Sequence, residues 1–259
     1  MEKNFEEEKL KRWKDKVCIV GCADSKVIVP FSDPEYEFWG VNNLYGGTPI
    51  KGSHYDRWFE IHTITSSEKG GQKIYERRWN PVFRGQKVND YVFDLAKLPY
   101  MIYMQHRWEE IPNSVAYPIN EIVTAFGRYF TNTISYEIAL AIMMGYKTIA
   151  IYGVDMAVGT EYEKQRPSCE YMIGIARGLG IEVIIPDEAD LLKARFLYAF
   201  EEVKQGAWDA KMDMIQKGMS ERLAQAQAEQ NRKAVEVERY NGAIAAIRDM
   251  QKIWGNFNN

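Results

Sequence analysis

The chain is poor in the residues that declare a chemistry by themselves. It holds three histidines and three cysteines in 259 residues. The cysteines, Cys18, Cys22 and Cys169, make no disulfide framework, and no second cysteine or histidine pair joins Cys18 and Cys22 to complete a zinc set. Reduced thiols in a cytoplasmic protein are the expectation. No run approaches the roughly 18 consecutive apolar residues of a membrane span. The opening stretch, Met1 to Lys16, is charged and lacks the apolar core of a signal peptide. Neither a Walker A sequence nor a G-x-G-x-x-G fingerprint occurs. A formal net charge of −3 argues against a protein that coats nucleic acid or an anionic membrane, although a local basic patch stays open.

What is present suits a full-sized domain with an appendage: 46% of residues are hydrophobic, enough to bury a core. Short apolar runs closed by glycine or polar residues read as strands buried on both faces of a parallel sheet. They are Val17–Gly21, Tyr36–Val41, Arg57–Ile61, Tyr100–Met104, Thr148–Tyr152 and Glu182–Ile185, the last stopped by Pro186. Helical segments separate several of them. Asn132 to Met144 has an Asn or Thr N-cap and Gly145 as its stop, and Pro167 to Leu179 starts on proline and ends at Gly180. Helix, glycine, strand and polar loop in succession predict an α/β fold: an open, mainly parallel, Rossmann-like sheet with helices on both faces. After about Ala189 no further strand is expected. The proline-free stretch Asp209–Trp254 predicts a long C-terminal helical extension on which Val237, Tyr240, Ile244, Ile247 and Trp254 fall on one stripe. That stripe suits either a homo-oligomeric contact or packing onto the chain's own domain. The expected division is a charged leader over 1–16, a nucleotide-binding domain over 17–205 and a helical arm over 206–259.

In such sheets ligands sit beyond the carboxyl ends of the strands, so residues just after each strand are the site candidates. After the first strand, Gly21 and Ser25 belong to a turn that can offer backbone amides to a phosphate. After the second, Asn42 and Asn43 carry carboxamides able to read a base or ribose with both donor and acceptor, although a plain turn also favours them. After the fifth, Asp155 can orient a ribose or act as a base. His62 and His106 follow the third and fourth strands, where a neutral-pH general base would stand. The segment Lys73–Lys87 interleaves Lys73, Arg77, Arg78, Arg84 and Lys87 with Tyr75, Trp79 and Phe83. This pattern can clamp phosphate or stack on nucleic-acid bases, and equally forms a solvated loop. No histidine or carboxylate spacing makes a metal site.

The stretch Phe130–Met156, with Val41-Asn42-Asn43-Leu44-Tyr45 upstream, resembles the bacterial lipooligosaccharide sialyltransferases and the Rossmann-like proteins related to them, which include a pterin diphosphokinase branch. The resemblance implies an α/β domain that binds a cytidine (CMP-type) nucleotide sugar as donor, without a metal or other cofactor. It implies that Asn42 contacts the nucleotide, that Asn132 and Thr133 meet the donor, that Asp155 is the aspartate of the glycine-hydrophobic-aspartate turn, and that Tyr162 faces the departing phosphate. The chain departs from the family in three ways. Cys22 and Ala23 replace the first-loop asparagine and glycine, Ala157 or Val158 replaces a second tyrosine, and no histidine follows position 106 to serve as the family's base. His62, His106, Asp155 and Glu161 are the candidate bases that remain.

The leading expectation is a metal-independent, glycosyltransferase-like transferase acting on a nucleotide or nucleotide sugar. The alternatives are a nucleotide-binding protein without chemistry, and a phage DNA-modification or DNA-associated protein using the Lys73–Lys87 segment.

Overall fold

The computed structural model describes residues 5–44, 52–69, 72–77, 82–83, 86–87, 91–156, 164–194, 197–201 and 205–257. The chain divides into two compact units, Met1–Lys193 and Ala194–Asn259. In chain order the strands are β1 (Lys16–Val20), β2 (Tyr36–Val41), β3 (Arg57–Glu60), β4 (Ile64–Lys69), β5 (Gln72–Arg77), β6 (Val82–Phe83), β7 (Gln86–Lys87), β8 (Met101–Met104), β9 (Ser114–Ala116), β10 (Thr148–Tyr152) and β11 (Glu182–Ile184). The helices are α1 (Phe5–Glu8), α2 (Tyr91–Ala96), α3 (Ile119–Phe126), α4 (Thr133–Met143), α5 (Arg166–Gly178) and α6 (Gln205–Phe257), with a 3₁₀ turn at Asp24–Ile28.

Seven strands form one sheet in the order β11-β10-β1-β2-β3-β8-β9, and every neighbouring pair is parallel. All seven carboxyl ends therefore lie on one edge. The order turns around at β1: β2 and β3 continue to one side, β10 and β11 lie on the other. In open α/β sheets ligands sit beyond the carboxyl ends of the strands at such a reversal, here at the loops after β1 and β10.

Strand periodicity builds the two faces. Val17 and Ile19 of β1 join one core with Ile138, Leu140 and Ile142 of α4 and with Met172, Ile173 and Ala176 of α5. Cys18 and Val20 point the other way, into a second core with Phe38, Trp58 and the α2 residues Tyr91, Val92 and Leu95. The fold is a Rossmann-like α/β sheet with helices on both faces, as the strand and glycine pattern predicts. The six expected strands occur within a residue of their expected ends. The edge strand β9 and the helices α2 and α3 were not expected. The basic segment 73–87, read either as a clamp for phosphate or bases or as a solvated loop, begins in β5, which pairs antiparallel with β4.

The amino edge of the sheet is closed by charge. Arg57 and Glu37, both fully buried, form an ion pair. Tyr146 also donates to Glu37, and Arg57 donates to Tyr103 Oη at 2.6 Å. Arg57 reaches the Lys11 carbonyl, and Trp13 N donates to Glu37 at 3.0 Å, so residues 9–13 are fastened to this edge. In the second unit α6 is a single 53-residue helix whose Val237, Tyr240, Ile244 and Ile247 are each about half exposed. Among the described residues no helix is long and apolar enough to cross a membrane.

Candidate functional site

The loops after β1 and β10 meet through two glycines. A Cβ on Gly21 would lie 2.3 Å from the Gly153 carbonyl oxygen, and one on Gly153 would lie 2.4 Å from the Gly21 oxygen. Gly153 also has φ +67°, a conformation other residues adopt only under strain. This close approach carries the next contacts. Gly21 N donates to the Tyr152 oxygen and Ala23 N to the Gly153 oxygen, each at 2.8 Å. Ser25, 4% exposed, donates its hydroxyl to Asp155 Oδ1 and accepts from Gly153 N at 2.8 Å. Ser25 and Asp155, 130 residues apart, are thereby a bonded pair at the strand-order reversal.

Beside it, at the end of β2, Asn42 adopts φ +49° and donates its backbone N–H to the Phe59 oxygen at 2.8 Å. Its carbonyl accepts from Trp58 Nε1 at 3.0 Å, yet its side-chain Oδ1 is buried with no hydrogen-bond partner. A buried acceptor without a donor is uncommon and marks a place where an outside N–H or O–H would be satisfied. Asn43 follows in the same turn, half-buried.

The end of β3 holds a second cluster. Glu60 is fully buried; its carboxylate lies 2.6 Å from His62 Nδ1 and accepts from His62 N at 3.1 Å, Arg77 Nε at 3.1 Å and the Tyr91 hydroxyl. Burial alone would raise this carboxyl. The His62 hydrogen bond, the Arg77 guanidinium and the Tyr91 hydroxyl outweigh it and hold Glu60 below its ordinary value. Arg77 Nη2 lies 2.8 Å from His62 Nδ1 and 3.5 Å from Nε2, and the guanidinium rests over the Tyr91 ring. The β1 loop and the Glu60 cluster both lie on the carboxyl edge of the sheet, two strands apart.

The remaining candidates divide as follows. Asn132 is the N-cap of α4: its Oδ1 accepts from Ser135 N at 2.9 Å and its Nδ2 donates to the Gln165 oxygen at 2.9 Å, tying α4 to the start of α5. Thr133, the first residue of α4, is buried. His106 follows β8, exposed, with its ring 4.8 Å from that of Trp108. Arg77 is 8% exposed and committed to Glu60 within the fold. Lys73 and Lys87 fall in β5 and β7, and of these two residues only the backbone is described. Arg78, Arg84, Glu161 and Tyr162 lie outside the described residues. Among the described residues no three His, Cys, Asp or Glu side chains are grouped to hold a metal ion.

Two residues at this edge escape sequence reasoning. Glu60 sits inside the apolar run Arg57–Ile61 and reads there as one polar residue of a strand. Glu137, on the second turn of α4, is fully buried and neither oxygen has a partner. Burial pushes its carboxyl well above the ordinary carboxylate range.

No protein-family model matches the chain, and no curated protein matches it at a significant level. Among solved structures it is similar to the sialyltransferase CstII from Campylobacter jejuni in complex with the substrate analogue CMP-3FNeuAc, at 15% identity over 70% of this chain and 88% of that one, with TM-score 0.41. The same enzyme with cytidine-5′-monophosphate matches at 14% identity over 71% and 88%, TM-score 0.41. The monofunctional α-2,3-sialyltransferase Cst-I from Campylobacter jejuni matches at 11% identity over 79% and 95%, TM-score 0.42.

Proposed function

We propose that the chain is a metal-independent, glycosyltransferase-like transferase that binds a nucleotide or nucleotide sugar at the carboxyl edge of the sheet. The observation that carries this reading is the Ser25–Asp155 pair, held by the Gly21–Gly153 approach at the strand-order reversal. A half-buried carboxylate beside a serine hydroxyl suits a ribose diol, and open α/β sheets take their ligands at such a strand-order reversal. Asn42, with its unpaired Oδ1, adds an acceptor on the neighbouring strand. The resemblance of Phe130–Met156 to lipooligosaccharide sialyltransferases supports a CMP-type donor, with Asn43, Thr133 and Tyr162 as further contacts. Transfer then depends on positioning and charge stabilisation more than on a covalent intermediate.

The absence of any histidine after position 106 favours one second reading, a protein that binds the nucleotide without turning it over.

A thermal-shift screen of the full chain against CMP, CDP, UDP, GDP, ADP, NAD and CMP-sialic acid, with and without magnesium, tests both. A ligand at a hundred times its Kd adds about 2.7 kcal/mol of stability. The expected result is a shift with cytidine nucleotides that needs no magnesium. No shift with any nucleotide would end both readings, and a shift without product release would favour the second.

A further inference from the structure

Among the described residues of the unit Ala194–Asn259 none is buried, and Leu223, Val237, Tyr240, Ile244 and Ile247 of α6 each stand about half exposed. In a protein a helix draws most of its stability from a packed apolar face. This one is 53 residues and so about 80 Å long. Two seven-residue series run along it from Met212 to Gln251. Met212, Met219, Ala226, Tyr240 and Ile247 occupy one, which Lys233 interrupts. Leu223, Val237 and Ile244 occupy the other, together with Gln216, Gln230 and Gln251. The offsets of three and four residues between the series are the d and a spacing of a coiled coil, with the glutamines at a. On a straight helix a seven-residue repeat drifts by about 20° per heptad, so a stripe of this length keeps to one side only where helices supercoil about each other.

The polar members of the stripe identify the partner. A buried carboxamide needs a donor and an acceptor from across the interface. Three of them at whole multiples of the heptad need three matching groups at the same intervals. A second α6, parallel and in register, supplies these by symmetry, because Gln216, Gln230 and Gln251 each meet their own counterpart. A polar residue at a fixes register in parallel pairs in this way, and β-branched residues at a, here Val237 and Ile244, favour two strands. In an antiparallel pair a faces d, and the d series holds no carboxamide to answer a glutamine. Lys233 stands between Glu229, four residues before it, and Glu236, three residues after, which answer its charge at the rim.

We infer that two copies of the chain associate through α6 as a parallel, in-register, two-stranded coiled coil. A contact strip about 80 Å long and about 10 Å wide covers roughly 800 Å² of each helix, which is about the share each partner gives to a stable interface. The other use of the stripe, packing onto the chain's own sheet unit, fails on length. A compact unit the size of Met1–Lys193 has a radius of gyration of about 16 Å and offers no face as long as α6.

Two measurements on the full chain test this, and neither depends on a nucleotide. Light scattering after size exclusion should give the mass of two chains for the wild type. Val237→Glu with Ile244→Glu sets four carboxylates into the seam and should raise the dimer Kd by about 100-fold or more. Cysteine pairing then reads the register in a chain carrying Cys22→Ser, since Cys18 and Cys169 are buried. Ile247→Cys, in the d series, should oxidise to a covalent dimer, whereas Ala228→Cys, on the outer face of the heptad, should not. A wild-type mass other than that of two chains overturns the inference, as does a dimer that the double substitution leaves intact. A dimer in which Ile247→Cys crosslinks no better than Ala228→Cys overturns the parallel register.

Discussion

Glu137 offers the sharpest physical test because its environment supplies no compensation. It sits on α4, fully buried, with both carboxyl oxygens unpartnered, and burial alone raises its carboxyl well above its ordinary 4.5. An unsatisfied buried polar group costs about 1–3 kcal/mol. Glu137→Leu removes that cost, and the change of shape returns up to about 1.5 kcal/mol of it as imperfect packing. The net expectation is a gain of about 1–2 kcal/mol, or a Tm rise of about 2–8 °C at this chain length. The pH dependence adds a second handle. The unfolded chain releases the Glu137 proton near 4.5, whereas the folded chain holds it to higher pH. The stability Glu137 contributes is therefore complete below 4.5 and is lost as pH rises toward the folded-state value, by up to about 1.4 kcal/mol per pH unit. Glu137→Gln keeps a donor and an acceptor but cannot ionise, so its advantage over wild type should widen with pH. Urea denaturation of the three proteins from pH 4 to pH 9 measures all of this. A Leu variant that loses more than about 1 kcal/mol, together with a Gln variant that tracks wild type at every pH, would refute the reasoning. That pair of results would mean the carboxyl has a satisfying partner after all.

Two further predictions concern the scaffold. Gly153→Ala adds a Cβ 2.4 Å from the Gly21 oxygen at φ +67°, so it should separate the β1 and β10 loops and cost about 2 kcal/mol or more. A chemical-denaturation midpoint that does not move would contradict the close packing of the two turns. Arg57→Met strands the buried Glu37 carboxylate, a change expected to cost about 3–5 kcal/mol. The same assay checks it, and a loss under about 1 kcal/mol would show that Tyr146 and the Trp13 N–H suffice for Glu37.

The elements that were legible in the sequence are those whose local chemistry and tertiary environment agree. β1 and β10 are continuous apolar runs between polar ends, which is what burial on both faces demands. α4 declares its own start and stop, with Asn132 accepting from Ser135 N and Gly145 at φ +78° just beyond the last turn. β9 escaped because three residues, Ser114–Ala116, are too few to show a period, and only pairing with β8 makes them a strand. The Lys73–Lys87 segment reads as a loop of cations because charge dominates its composition. Yet Tyr75 and Arg77 alternate inward along β5, and Arg77 finds Glu60, 17 residues earlier. The site followed the same division. Strand ends pointed to Ser25, Asn42, His62 and Asp155 because topology alone puts them on one edge. Glu60 and Glu137 were invisible, since the facts that single them out are tertiary: donors gathered on one carboxylate and none on the other.

Buried carboxylates are answered at both edges of the sheet, Glu37 at the amino edge and Glu60 at the carboxyl edge, so the buried polar atoms left unanswered stand out. At the amino edge Glu37 is answered by Arg57, Tyr146 and the Trp13 N–H, while Arg57 also reaches Tyr103 and the Lys11 carbonyl. The network fixes the first strands and fastens the N-terminal segment. Near the carboxyl edge stand the buried side-chain atoms that lack partners among the described residues: Asn42 Oδ1, at the end of β2, and both oxygens of Glu137, on the second turn of α4. Each such group lowers stability, and a sheet assembled for stability alone would have answered them as it answered Glu37. Their place on the carboxyl side of the sheet, with the Ser25–Asp155 pair, supports the proposal that a ligand is held there.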